Sequence, residues 1–436
     1  MTNREKLFER RKKITPNALG IFNPSSVAKA KGAIITDVDG RELIDFAGGI
    51  GAINTGHCPE PVVKAIQQQA EKFIHTCFNV SIYGQYLDAA EKLIELIPHG
   101  EETKVMFTNC GAESVENAIK IARQATKRSS IICYTHAFHG RTLMATTLTS
   151  KVGYKTGTGP FAPEVYRIDS PSATLTFSKG EKLTDDELSD FHIKKLKEFF
   201  ITNISAQNVA AIIIELVQGE GGFHVAPKKY IKELRKICDE NGIILIFDEV
   251  QTGFGRTGKW AAFHHYDVTP DLSTWAKSIG SGMPVGCVMG KASVMDSINA
   301  GTIGGTYLGN PLCCVAVSAT LDYMKEININ AKGKRVGEII KNKFDELKNK
   351  FPKNISEVRG LGAMMAFELS IDGDINKPDS ELCKKVAERC YEKGLIVLTA
   401  GLSGNVIRNL APLVIKEEDL IRGLNIIEES LNELTK

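Results

Sequence analysis

The chain has 436 residues, more than one ordinary core holds, so at least two domains are expected. Lys and Arg number 54 against 52 Asp and Glu, a formal charge of +2, with 43% hydrophobic and 24% charged residues. That balance fits a soluble globular protein and gives no electrostatic case for nucleic acid or a membrane as partner. The ten cysteines show no C-x-x-C and the nine histidines no ligand spacing. These patterns argue for reduced thiols in the cytoplasm, and for no metal site.

In chain order, MTNREKLFERRKKITPN mixes basic residues with Glu5 and Glu9 and no apolar run follows, so it reads as a solvated segment rather than a signal peptide. AIITDVDGRELIDF is a hairpin turning at Asp39–Gly40. GAESVENAIKIARQATK sets Val115, Ile119 and Ala122 on one helical face. RSSIICYTHAFHG is a strand running into a loop, and VAAIIIELVQGEGG a fully buried strand entering a glycine turn. KYIKELRKICDENG is an amphipathic helix closed by Gly242, and IILIFDEVQTGFGRTG another buried strand. Continuous apolar strands separated by helices predict an α/β fold with a mostly parallel sheet covered on both faces.

Two stretches interrupt this pattern. Roughly Ser170 to Gln207 is polar and reads as a surface excursion with its own helix, DDELSDFHIKKLKEFF. Ser297 to Leu321 carries no charge, but glycines, Asn310 and Pro311 break it, so it is not a membrane span and is expected to face another protein surface. After the helix LCCVAVSATLDYMKEI the pattern shifts to a small α/β domain. The expected division is an N-terminal segment 1–60 contributing to the small domain, a large domain 61–324 and a C-terminal small domain 325–436.

The chemistry begins with STWAKSIGSGMPVG, whose one charge is Lys277. A lysine among small and apolar residues either reaches water or is kept reactive. IFDEVQTG ends an apolar strand on Asp248 and Glu249, only one of which shares the face of Ile246. Ligands gather at such carboxyl ends in parallel sheets. NCGAESVENAIKIAR places Gly111 and Ala112 where a helix begins, a natural anion site or a plain cap. HAFHGRT offers Phe138 on a glycine-terminated loop, as a flat surface or a core residue. GFGRTG, residues 253–258, matches G-x-G-x-x-G with Asp271 downstream, which keeps an NAD-dependent dehydrogenase as an alternative. One cofactor uses the lysine, the carboxylate, the phosphate-ready helix start and the aromatic together. Pyridoxal phosphate needs a lysine for its aldehyde, an acid for its ring nitrogen, backbone donors for its phosphate and a flat surface for its ring.

IIIELVQGEGGF, IFDEVQTGFGRTG, DLSTWAKSIGSGMPVG and GGTYLGNPL, in this order, resemble the class III (ω-amino acid) aminotransferases, along nearly the whole chain. The resemblance implies the fold type I, aspartate aminotransferase-like architecture of pyridoxal-phosphate-dependent transferases. It makes Lys277 the Schiff-base lysine, Asp248 the partner of the ring nitrogen and Gln251 the group near the phenolic oxygen. Gly111 and Ala112 match the phosphate turn, Ala112 standing where the family usually has Ser or Thr. Phe138 matches the ring-stacking aromatic, and Thr306 a phosphate ligand given by the other subunit. A homodimer or tetramer with shared sites is implied.

Within the family, FAGGIGAINTGH and HTCFNV are similar to the 4-aminobutyrate branch. That similarity implies Ile50 against the substrate chain, Asn79 near Arg141 in place of the usual Gln, and a Glu220–Arg408 pair. The activity implied is ping-pong transfer from 4-aminobutyrate to 2-oxoglutarate, giving succinic semialdehyde and glutamate. Arg141 clamps the distal carboxylate in both halves. Arg408 leaves Glu220 only for the α-carboxylate of 2-oxoglutarate. The shorter Asn79 leaves 5-aminovalerate, lysine and ornithine types of donor open, and the motifs around Lys277 leave a racemase open.

Overall fold

The computed structural model describes residues 1–100, 102–172 and 183–435. The hairpin forms as expected: β1 (Lys29–Lys31), β2 (Ile34–Thr36) and β3 (Glu42–Asp45) run antiparallel, with the turn at Asp37–Gly40 closed by a Gly40 N–H to Asp37 carbonyl bond. The central sheet collects β4 (Thr103–Thr108), β5 (Ser130–Tyr134), β6 (Val165–Ile168), β7 (Val209–Ile214), β10 (Ile244–Asp248), β11 (Leu272–Trp275) and β12 (Gly286–Lys291) in the order β4-β12-β11-β10-β7-β5-β6. β7 is buried at every position, as its unbroken apolar run predicts. Six strands are parallel; β12 alone runs against both neighbours. The link from β11 to β12 is too short for a crossover, so the chain turns straight back.

Val115, Ile119 and Ala122 do line the buried face of helix Gly111–Thr126. Helix Lys228–Asn241 ends at Gly242, whose φ of 61° is the left-handed cap glycine tolerates best. Of the stretch from 170 to 207, residues 173–182 lie outside the described ones. The rest corrects the expected surface excursion: helix Asp185–Thr202, between β6 and β7, buries Leu188 and packs Ile193 and Leu196 into the main core. Its polar face hid that stripe in the sequence.

A ribbon of β8 (Val217–Gln218) and β9 (His224–Val225) carries the turn 219–222. Beyond helix Pro311–Glu326, the long helix Ile329–Lys350 buries Val336, Ile340, Phe344 and Leu347 at helical spacing. β13 (Ile355–Leu361), β14 (Met364–Leu369), β16 (Leu398–Ala400) and β17 (Val406–Arg408) form a second sheet in the order β13-β14-β17-β16. β15 (Leu395–Ile396) instead pairs in parallel with β3, tying the N-terminal hairpin to the C-terminal region. Helix Asn3–Ile14 carries a Thr2/Glu5 capping box and buries none of its residues. Among the described residues, no helix is long and apolar enough to cross a membrane, and no His/Cys/Asp/Glu group could hold a metal ion.

Candidate active site

The parallel strands deliver their carboxyl ends to one edge of the sheet. β4 leads to the helix at Gly111, β5 to the loop with Phe138 and Arg141, β7 to Glu215, β10 ends on Asp248 and β11 leads to Lys277. These residues line one cavity of about 440 Å³ with Gln251, Val250, Met283 and Val285. A second cavity of about 260 Å³ shares Phe138, Arg141, Glu220 and Lys277 and adds Phe22, Ile50, Tyr154, Leu398 and Arg408. The two adjoin across these shared walls and together reach the size ligand sites have.

Lys277 has φ of 53°, a left-handed conformation costly for a residue with Cβ and typical of functional positions. Burial lowers its pKa below the ordinary lysine value; Glu220 opposes the shift and Arg408 adds to it. Asp248 is buried, and its Oδ2 lies 2.7 Å from His139 Nδ1, which places the imidazole proton on Nδ1. Its Oδ1 accepts the Val250 N–H at 3.1 Å.

Glu249 points the other way. It accepts N–H bonds from Ala262 at 3.0 Å and Phe263 at 2.9 Å, and a bond from the Thr252 hydroxyl. Burial pushes its pKa up from 4.5 to about 7 against those bonds. The unfolded chain then ionises first, so the stability this proton contributes is full below about pH 4.5 and is lost as pH rises to about 7. Glu249→Gln should remove part of that decline in urea denaturation series. It should also cost about 1–3 kcal/mol, because an amide donor must face a backbone N–H. An equally steep decline in the variant would contradict this account.

The cradle fits pyridoxal phosphate. No side chain caps helix Gly111–Thr126, leaving its first N–H groups for an anion. A Cβ on Gly111 would meet Val250 at 2.9 Å, and one on Gly140 would meet Ala112 Cβ at 2.7 Å, so backbone itself forms the wall. Gln251 Oε1 is buried with no hydrogen-bond partner among the described residues, and Nζ of Lys277 makes no ion pair with them. An acceptor, an amine and anion-binding amides are thus left for a group of this chemistry.

Two arginines border the space. Arg408 is buried and pairs with Glu220 at 2.7 Å, its Nη1 also donating to the Gly219 carbonyl at 3.1 Å. Burial disfavours the Glu220 carboxylate, but Arg408, with Lys277 and Lys151, outweighs it and the pKa falls below the usual value. Arg141 lies 4.6 Å from the centre of the Tyr154 ring, and no carboxylate among the described residues pairs with it. Ile50, at φ 64°, reaches the same cavity from the segment after β3.

Two expected residues are not brought together with these. Asn79 is exposed and does not line the cavity with Arg141; its Nδ2 lies 3.2 Å from where a Gly304 Cβ would stand. Thr306, on that same glycine-rich segment, is also exposed and outside both cavities. A longer pocket beside Arg141 therefore does not follow from Asn79 within one chain. Conversely, His139, Glu215, Tyr154 and Phe22 belong to the site and escape the sequence reading, since each reaches it by tertiary contact. HAFHGRT held the one available signal, a histidine beside the loop aromatic.

The dehydrogenase alternative fails here. The 253–258 turn opens no helix; a Cβ on Gly253 would strike Trp275 at 2.5 Å, so its glycines serve packing. Arg256 is fully buried and bonds Asn54 and the Ala411 carbonyl. Asp271 is taken by Arg235 at 2.8 Å and Lys291 at 2.7 Å.

Residues 20–431 match the family described as aminotransferase class-III. A probable 4-aminobutyrate aminotransferase of Bacillus subtilis is 44% identical over 410 residues, 94% of this chain and 93% of that protein. A 5-aminovalerate aminotransferase, DavT, of Pseudomonas aeruginosa is 43% identical, covering 99% of each. The crystal structure of an amine transaminase from an uncultivated Pseudomonas species, in its PLP-bound form, aligns with a TM-score of 0.90 at 27% identity, covering 97% of this chain and 99% of that one. The chain thus has the fold of the pyridoxal-phosphate-dependent transaminases, fold type I, and acts on small amino and oxo acids. It belongs to the class-III aminotransferases and is a pyridoxal-phosphate-dependent ω-transaminase.

Proposed function

We propose that the protein transfers the amino group of 4-aminobutyrate to 2-oxoglutarate by a ping-pong route, giving succinic semialdehyde and glutamate. The observation that carries this reading is the unequal pair of arginines around one cavity: Arg408 neutralised by Glu220, Arg141 backed only by an aromatic ring. A donor with one carboxylate remote from its amine meets Arg141 as the free cation. Its chain lies along Ile50. 2-Oxoglutarate has a second carboxylate, which takes the place of Glu220 on Arg408.

Bound pyridoxal phosphate supplies the carbon that receives the amine and a ring that withdraws electrons from it. The uncapped backbone N–H groups at Gly111 and Ala112 would hold its phosphate, Phe138 would pack against its ring, and Gln251 would bond its phenolic oxygen. Asp248, oriented by His139, would keep the ring nitrogen protonated. Lys277, its proton affinity lowered by burial, takes the proton from the substrate carbon and returns it.

We place Asn79 and Thr306 in the site of a partner subunit, within a homodimer or tetramer. In support, both lie in a surface region that also exposes Ile74, Val80, Ile82 and Tyr307. The division at residues 60 and 324 and a cytoplasmic location complete the reading; all ten cysteines are free.

A panel of donors tests it. Glutamate should form from 4-aminobutyrate with a kcat/KM about tenfold or more above 5-aminovalerate, ornithine and lysine. A reversed order would move the donor assignment, and inversion of an α-amino acid without any acceptor would replace it.

A further inference from the structure

One carboxylate in this space has no part in the steps above. Glu215, directly after β7, is only 7% exposed. Its Oε2 accepts the backbone N–H of Phe138 at 2.8 Å, and its Oε1 accepts that of Gly219 at 3.0 Å. The two N–H groups come from separate loops. Phe138 belongs to the loop after β5. Gly219 opens the turn of the β8–β9 ribbon, and its carbonyl in turn accepts from Arg408 Nη1 at 3.1 Å. Next to it, Glu220 pairs the same guanidinium at 2.7 Å. A continuous line of hydrogen bonds runs from the aromatic loop through Glu215 to the gated arginine.

The chemistry of this link is specific. A carboxylate offers an acceptor on each oxygen, whereas the isosteric amide offers one acceptor and one donor. In glutamine one arm would press an N–H against a backbone N–H. Burial pushes the Glu215 pKa up, His139 pulls it down and Asp248 adds to the rise; Lys277 is a further charge within its field.

We propose that Glu215 is a positioning residue that clamps the Phe138 loop to the 219–222 turn, and so fixes the ring-facing aromatic relative to the Glu220–Arg408 gate. The proposal rests on the roles assigned above to Phe138 and to that gate. Protonation turns one acceptor into a donor, so the clamp holds as a carboxylate and loosens when neutral.

The test compares wild-type and Glu215→Gln holoenzymes by hydrogen exchange of the segments 136–141 and 217–222. In the variant both should exchange about tenfold faster or more. The circular dichroism of the cofactor band should change, and the KM for 2-oxoglutarate should rise about tenfold. Exchange within twofold of wild type in both segments, with an unaltered cofactor band, would overturn the clamp. Should the variant fail to fold or load, wild-type holoenzyme decides. Corrected for intrinsic rates, protection of both segments should be about tenfold lower at pH 5.5 than at pH 8.5, relative to β7; equal protection would overturn it. Failure of the underlying roles reads out separately. Phe138→Ala would then leave the cofactor band, and Glu220→Gln the 2-oxoglutarate KM, as in wild type, whatever the exchange shows.

Discussion

Lys277→Ala should lose the long-wavelength absorbance of lysine-linked pyridoxal phosphate and lower turnover by a factor of about 1,000 or more. Two independent parts make up this loss. Nζ is the only amine lining either cavity among the described residues, so no neighbour can replace it as the cofactor's attachment. In the proposed mechanism it also carries the proton, and loss of a positioned acid–base costs about 100- to 10,000-fold by itself. The fold should survive, because alanine at this left-handed position costs no more backbone strain than lysine does. Absorbance spectra of purified wild type and variant check the first part; single-turnover rates check the second. A wild-type spectrum in the variant would remove Lys277 from the centre of the site.

Arg408→Leu should separate the two halves of the reaction. The 2-oxoglutarate half should lose about 30- to 1,000-fold in kcat/KM, matching the roughly 2–4 kcal/mol expected when a desolvated charge partner is removed. The 4-aminobutyrate half should change much less if, as proposed, its single carboxylate goes to Arg141, because Arg408 is already neutralised by Glu220. Arg141→Leu should instead impair both halves, because each substrate presents a distal carboxylate. Stopped-flow measurement of each half alone gives the comparison. Equal losses in both halves for Arg408→Leu would refute the exchange of Glu220 for substrate.

The central strands were legible in the sequence where their chemistry was extreme. β7 and β10 are apolar at nearly every position and need no partner to be recognised. The reversed direction of β12 was not legible, since a run of five buried residues reads the same in either sense. Helix Ile329–Lys350 carries a regular buried stripe that the sequence reading passes over, because Lys, Asn and Glu dominate its surface. In the site, Lys277 and Asp248 stand out as charges among apolar neighbours. Glu215 looks like the end of another buried strand until the structure shows Phe138 and Gly219 on its two oxygens. Tyr154 is likewise invisible without the fold that brings Arg141 over its ring. Asn79 and Thr306 mark the opposite case: their motifs are readable, but one chain does not bring them to its own cavity.

The most direct test of the account is a half-reaction without acceptor. Purified holoenzyme mixed with 4-aminobutyrate alone should release one succinic semialdehyde per site and lose its long-wavelength absorbance. Addition of 2-oxoglutarate should restore the spectrum and release one glutamate per site. An enzyme whose spectrum and products stay unchanged with 4-aminobutyrate, yet which converts another donor stoichiometrically, would contradict the assignment.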